Sequence, residues 1–288
     1  MVKKSYVIAG PTASGKSDFA HKLAKRVGGT IINADSVQIY RGIENISANP
    51  LSIVPRSSSL VDGVPHKLFS IRDLSEQITV ADYLKMARAE YDAADVPIFV
   101  GGSGYYIGAL LYGISPIPSV SAENRARARK MVSEAPDAAR KLTDFEFHDP
   151  QRMMRALEVF LETGLSISEW QKLPRAGALV PAPFRILVAP PNDILDGRIR
   201  DRLKIMLDDG GMDEVAKHID FPDRAIGIDE IGKYIRGEIS MEQALENWAT
   251  RTRRYAKRQR TWFKNQYAAD MIIPRVPTDK DLEDVLGR

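Results

Sequence analysis

Gly10-Pro11-Thr12-Ala13-Ser14-Gly15-Lys16-Ser17 follows a β-branched run, Tyr6–Ala9, and precedes a helical stretch over residues 17–26. Glycine, four residues, then Gly-Lys-Ser between a strand and a helix is the spacing of a phosphate loop. The glycines let the backbone curl until successive N–H groups point at phosphate oxygens. The helix that follows adds its positive N-terminal end, and Lys16 adds a mobile full charge. Ser17 is placed to ligate Mg²⁺. A glycine turn that merely starts a helix is the plainer alternative, and eight residues in register with the right flanks speak against it.

Outward from this loop, strand-like runs at Thr30–Asn33 and 98–100 alternate with a helical stretch over 79–94. That rhythm predicts parallel strands joined by crossover helices. Between residues 115 and 183 the pattern turns wholly helical, flanked by the proline-rich stretches Ser-Pro-Ile-Pro-Ser and Leu-Val-Pro-Ala-Pro-Phe. A strand over 185–189 then returns to the sheet, and helices from Asp193 onward complete the chain. The expected fold is α/β, a P-loop NTPase-like parallel sheet flanked by helices. Residues 1–115 and 184–288 form its core, and 116–183 an inserted all-helical subdomain.

A chain of 288 residues with 44% hydrophobic and 27% charged content can bury a full core. The absence of cysteine excludes disulfides, thiolate nucleophiles and cysteine-based zinc sites, and fits a reducing compartment. The opening apolar run is too short for a signal peptide, and no run approaches the roughly 18 residues that span a bilayer. The expectation is a cytoplasmic protein, without membrane contact and monomeric. His21, His66, His148 and His218 show no paired metal spacing.

A net charge of +3 says little, but its distribution says more: residues 247–269 carry seven Lys and Arg and no acid. Ser240 with Gln243 reads as a capping box opening a helix that runs to about Gln266. Leu245, Trp248, Thr252, Tyr255, Gln259 and Trp262 recur at helical spacing as a packing stripe, and the remaining circumference is largely Arg and Lys.

Asp35 stands just past Thr30–Asn33, and in a parallel sheet that end adjoins the phosphate loop. A carboxylate there suits a reaction in which a weakly nucleophilic amine loses a proton as it attacks. Taken alone, the segment fits a helix-capping Asp as well. The run Pro97-Ile98-Phe99-Val100 leads into Gly101-Gly102-Ser103-Gly104 with no acid at its end. This argues against nucleotide hydrolases, which hold their metal with such an acid. The glycines make a tight turn or admit a close nucleotide backbone.

With these residues in view, the chain resembles the tRNA dimethylallyltransferases. The resemblance rests on GPTASGKS at 10–17, NADSVQIYRG at 33–42, VPHKL at 64–68, VGGSGYYI at 100–107, DPQRMMRALEV at 149–159 and YAKRQRTWF at 255–263. It implies dimethylallyl diphosphate as donor, with Mg²⁺. The acceptor it implies is N6 of the adenosine 3′-adjacent to the anticodon in tRNA. It makes Asp35 the general base, Thr12, Lys16 and Arg202 diphosphate contacts, and Ser17 the metal ligand. It places tRNA contacts at Asp35, Ser36, Val37, Gln38, Ser103 and Arg125. Further contacts fall at Gln151, Arg152, Met153, Met154 and Arg155, and at Arg224, Ala225, Ile226, Gly227, Ile228 and Asp229. By spacing alone Arg202 and Arg125 are solvated helix residues, and Arg152 and Arg155 ion-pair partners. The chain departs from the family pattern at Asn49, where Lys is usual, at Lys67, where His is frequent, and at Ile228, where Tyr is frequent. The insert is also short. A P-loop small-molecule kinase or an adenine-nucleotide prenyltransferase is the alternative function, and the basic helix speaks against both. A non-catalytic RNA-binding module would leave the phosphate loop and Asp35 without a purpose.

Overall fold

The computed structural model describes residues 3–53, 59–143 and 150–288. His148 and Asp149 lie outside the described residues. Two compact units emerge, Met1–Leu111 with Leu179–Arg288, and Tyr112–Ala178.

In the larger unit, β1 (Tyr6–Ala9) is buried along its whole length, as an interior strand of a mostly parallel sheet must be. The sheet has seven strands in the order β3-β4-β2-β5-β1-β6-β7. Here β2 is Thr30–Asn33, β3 Leu60–Val61, β4 Val64–Lys67, β5 Pro97–Gly101, β6 Phe184–Val188 and β7 Met271–Ile273. β1 pairs in parallel with β5 and β6, setting Tyr6 opposite Ile98 and Phe184, and β2 runs parallel to β5 on the other side. The chain therefore leaves β1, β2 and β5 at one common edge, where ligands of open α/β sheets bind.

The helices are α1 (Lys16–Val27), α2 (Val80–Ala93), α3 (Gly104–Tyr112), α4 (Ala122–Glu134), α5 (Pro136–Leu142), α6 (Pro150–Thr163) and α7 (Ile167–Lys172). They continue with α8 (Asn192–Met206), α9 (Met212–His218), α10 (Ile228–Ile235), α11 (Met241–Gln266) and α12 (Asp279–Leu286). Alternate residues of β1 feed two cores. Tyr6 and Ile8 pack with Phe19 and Leu23 of α1 and Leu282 of α12. Val7 and Ala9 pack with Tyr83 of α2, Ile107 of α3 and Trp248 and Phe263 of α11.

One expectation changes and one element is added. The chain does not finish in helices alone, because Met271–Ile273 adds a parallel edge strand beside β6. Three residues are too few to show a period. The antiparallel β3–β4 hairpin was also unforeseen. Its turn is Asp62-Gly63, both at positive φ (51° and 81°), the Asp-Gly signature of a two-residue hairpin loop.

α11 follows its reading closely. Ser240 accepts from the Gln243 amide and Gln243 returns the bond to Ser240. Its buried line is Ala244, Trp248, Ala249, Ala256, Gln259 and Phe263, while Leu245, Thr252, Tyr255 and Trp262 are half-buried beside it. In the smaller unit, Ala128, Ala139 and Leu157 form a small core joined by Met131, Val132 and Met154.

Candidate active site

The phosphate loop curls as its glycines predict. Gly15 caps α1 in the left-handed region at φ 91°. Ala13 is also left-handed, at φ 62°, a costly conformation for a residue with a Cβ. Arg198 of α8 holds it there, its Nε donating to the Ala13 carbonyl at 2.7 Å. Lys16 is buried, and its Nζ donates to the Pro11 carbonyl at 3.3 Å. Burial pulls the Lys16 ammonium down to about 8, against the opposing field of Asp35 and with the help of Arg202. Ser14 Oγ is buried without a hydrogen-bond partner among the described residues. Arg202, one turn after Arg198, donates from Nη1 to Thr12 Oγ1 at 3.3 Å. Burial lowers its pKa, and Asp35 opposes this. Spacing alone reads Arg202 as solvated, whereas it is half-buried here; the family resemblance points to Arg202 but not to Arg198, although four-residue spacing on one helix puts both on the same face.

Asp35 caps no helix, since residues 34–48 run as coil and turns. Asn33 fixes it from both sides, accepting the Asp35 N–H at 2.8 Å and donating to the Asp35 carbonyl at 2.9 Å. Asp35 Oδ1 accepts the Val37 N–H at 3.0 Å. Lys16, Arg202 and Tyr255 all feel the carboxylate's charge. Yet among the described residues it forms no ion pair within 4.0 Å. A carboxylate coupled to cations but not bonded to them keeps an oxygen available to accept a proton. The Tyr255 hydroxyl is pushed up by burial and by Asp35, against hydrogen bonding from Ser103 and Gln259.

The glycine pair at the end of β5 makes this proximity possible. A Cβ on Gly101 would sit 2.0 Å from the carbonyl oxygen of Ala34, the residue before Asp35. Gly101→Ala should therefore cost about 1–3 kcal/mol of stability. Displacing Ala34 should also slow the chemistry at least about tenfold. A denaturant melt and a single-turnover rate check both, and unchanged values for each would mean that the backbone yields freely.

The other residues singled out by sequence fall into distinct surroundings. Ser36 donates its N–H to Ser103 Oγ at 2.9 Å, and the two hydroxyls meet at 3.0 Å. Gln38 donates to the carbonyls of Ser47 (3.1 Å) and Ala48 (2.9 Å). Asn49, buried, donates to the Gln38 carbonyl and to Ser70 Oγ, so this departure from the family pattern is a structural tie. Val37 packs half-buried on the core. Arg224 lies over the Tyr40 ring at 4.8 Å and donates to its hydroxyl. Asp229 pairs with Lys233. Ala225, Gly227 and Ile228 are buried and Ile226 half-buried, so a partner reaches this segment mainly through its backbone. His66 is buried between the rings of His21 and Phe69. Tyr106 stacks on Tyr83 in the core, whereas Tyr105 is 69% exposed.

In the smaller unit, Arg125 is exposed on α4, Arg152 and Arg155 are exposed on α6, and Arg155 pairs with Glu158 at 3.3 Å. Gln151 occupies the first turn of α6. Met153 is buried and Met154 packs into the local core, so neither side chain offers much surface to a partner.

The basic helix divides in two. Arg251 pairs with Glu230, Arg253 with Asp196 and Glu246, and Arg260 donates to the Pro190 carbonyl. These residues fasten α11 to its surroundings. Arg254, Lys257 and Arg258 are exposed and, with Trp262, Asn265 and Gln266, line an open cavity of about 590 Å³. Arg258 lies over the Tyr255 ring at 5.8 Å.

No group of three His, Cys, Asp or Glu able to hold a metal occurs among the described residues. The exposed Ser17 hydroxyl on the first turn of α1 fits a hydrated ion carried mainly by phosphate oxygens. No helix among the described residues is long and apolar enough to cross a membrane.

Comparison with known proteins bears on the family and the fold. The family described as IPP transferase matches residues 38–266, and that described as isopentenyl transferase matches residues 3–54. The chain is 38% identical over 281 residues to a tRNA dimethylallyltransferase of Acidiphilium cryptum, covering 92% of this chain and 85% of the relative. It is 37% identical over 288 residues to that of Rickettsia bellii, covering 92% and 89%. Its fold is similar to the tRNA isopentenylpyrophosphate transferase of Bacillus halodurans, with TM-score 0.68, 30% identity, and 99% and 95% of the two chains covered. A eukaryotic dimethylallyltransferase acting on tRNA shares the fold at TM-score 0.70 with 23% identity, over 94% and 74% of the chains.

Proposed function

The chain belongs to the tRNA dimethylallyltransferase (IPP transferase) family. We propose that it moves the dimethylallyl group of dimethylallyl diphosphate onto N6 of the adenosine 3′-adjacent to the anticodon in tRNA. One observation carries this reading: Asp35, Lys16 and Arg202 share one field at the edge of the sheet without being ion-paired to one another. In such a set the cations can serve an anionic leaving group and the carboxylate an attacking amine.

In this mechanism the loop amides, Lys16, Arg202 and the Thr12 hydroxyl grip the diphosphate. As the bond from the allylic carbon to the diphosphate oxygen breaks, charge accumulates on the leaving group. Cations already in place stabilise that charge more than they stabilise the ground state. Mg²⁺ held by Ser17 and the diphosphate would supply further neutralisation of the leaving group. The N6 lone pair forms the new carbon–nitrogen bond, and the free oxygen of Asp35 takes the proton that the nitrogen loses. The adenine has to leave its stack to reach this position. Release of inorganic diphosphate from the donor should then depend on tRNA and not on AMP, and equal release with AMP would favour the nucleotide prenyltransferase.

We assign the acceptor surface to the exposed half of α11, with Arg125, Arg152 and Arg155 of the smaller unit as further contacts with tRNA. Replacing Arg254, Lys257 and Arg258 together by Ala should weaken tRNA binding and lower the slope of log K against log salt by about 2, at roughly 0.7 per phosphate contact. The melting temperature should hardly move, because these side chains project into solvent. An unchanged salt slope would mean that tRNA docks elsewhere. Changing Arg253 or Arg260 instead should lower stability, since both bond to neighbouring elements.

A further inference from the structure

Gln259 is 5% exposed, although it stands between Arg258 and Arg260 on the basic helix. Its side chain uses both ends on backbone groups of two separate loops. Oε1 accepts the Thr12 N–H at 2.9 Å, and Nε2 donates to the Gly102 carbonyl at 2.9 Å. A Cβ on Gly102 would lie 2.2 Å from that Nε2, so the glycine is what leaves room for the amide. Each bond continues toward the reacting groups. The Thr12 hydroxyl accepts from Arg202 at 3.3 Å. Ser103, next after Gly102, accepts the N–H of Ser36 at 2.9 Å, and Ser36 adjoins Asp35.

We propose that Gln259 is a positioning residue that fixes the separation between the phosphate loop and the Asp35 loop, and so aligns the leaving diphosphate, the allylic carbon and the base. A carboxamide suits this position because it carries an acceptor and a donor on one planar group. A carboxylate lacks the donor, and Lys or Arg lacks the acceptor. Buried hydrogen bonds of this kind hold backbone firmly, since an unmade one leaves a polar group without water or partner. Transfer depends on reacting atoms being set to within a fraction of an ångström, so a small shift between the two loops acts on the chemical step more than on the affinity of either substrate. The inference rests on the transfer reading above.

The test is steady-state transfer by the full chain with dimethylallyl diphosphate and a tRNA transcript, comparing wild type with Gln259→Glu. At neutral pH the carboxylate keeps the bond from Thr12 but faces the Gly102 carbonyl with no proton to give. The expected result is a loss of about 10²-fold in kcat, with the donor KM and the tRNA Kd changed by less than about threefold. As pH falls the new carboxyl takes up a proton that it can donate to Gly102, so the ratio of variant to wild-type rate should rise. Gly102→Ala, which pushes the amide aside, should give the same loss in kcat without recovery at low pH, and carries the test if Gln259→Glu fails to fold. A folded variant with kcat within about threefold of wild type would overturn the proposal. So would a loss confined to KM, or a pH-independent rate ratio that merely accompanies a lowered melting temperature. If the wild-type chain transfers nothing, the transfer reading itself fails; if it transfers and both variants match it, only the role of Gln259 fails.

Discussion

Asp35→Asn should lower the single-turnover rate of prenyl transfer about 10²- to 10⁴-fold, the range expected when a general base is removed. The substitution preserves the surrounding geometry. The Asn oxygen can still accept the Val37 N–H that Asp35 Oδ1 accepts, and the bonds between Asn33 and the Asp35 backbone do not involve the changed atoms. Stability should therefore stay close to wild type. Donor affinity should not weaken, because Lys16 and Arg202 lose only the field of a nearby anion. Rapid-quench transfer at saturating tRNA, beside a thermal melt, separates the outcomes. A near-normal rate would take the proton-accepting role from Asp35 and give it to water or to the departing diphosphate.

Lys16→Ala should reduce kcat/KM for the donor about 10²- to 10³-fold, the usual cost of removing one preorganised charge from a transition state that gains negative charge. Part of the loss should appear in KM, because the ammonium faces the diphosphate before as well as during reaction, and the rest in kcat. The Lys16 ammonium has been drawn down to about 8 chiefly by burial. A dianionic partner stabilises its charged form, so donor binding and protonation of Lys16 reinforce one another. tRNA affinity should not change, as the exposed cations of α11 lie on other residues. Initial-rate kinetics against donor concentration test this, and intact donor kinetics in the variant would show that the loop grips something else.

The parts of this site readable in the sequence were those whose chemistry is local. The phosphate loop lies within eight consecutive residues, Asp35 follows directly from a short strand, and the cap of α11 is written in Ser240 and Gln243. What stayed hidden depends on partners far along the chain. β7 exists because Met271–Ile273 finds β6, and three residues carry no period of their own. Gln259 resembled one more member of a packing stripe, since nothing in its neighbourhood announces bonds to Thr12 and Gly102. The seven cations of the basic stretch look alike in sequence. Asp196 on α8, Glu230 on α10 and Glu246 within α11, together with the Pro190 carbonyl, separate those that brace the helix from those that face solvent. Arg198 was within reach of sequence reasoning, because Arg202 had been identified and the residue four positions earlier shares its face. The Asp62-Gly63 turn carries an equally local signal.

The most direct test of transfer to tRNA is to incubate the protein with isotopically labelled dimethylallyl diphosphate, Mg²⁺, an unmodified tRNA transcript, AMP and ATP, digest the RNA and locate the label by nucleoside mass spectrometry. The label should appear as a single dimethylallyl group on N6 of the adenosine directly 3′ of the anticodon. Labelled AMP in place of labelled tRNA, or label at no nucleoside while ATP donates phosphate to a small molecule, would contradict the account.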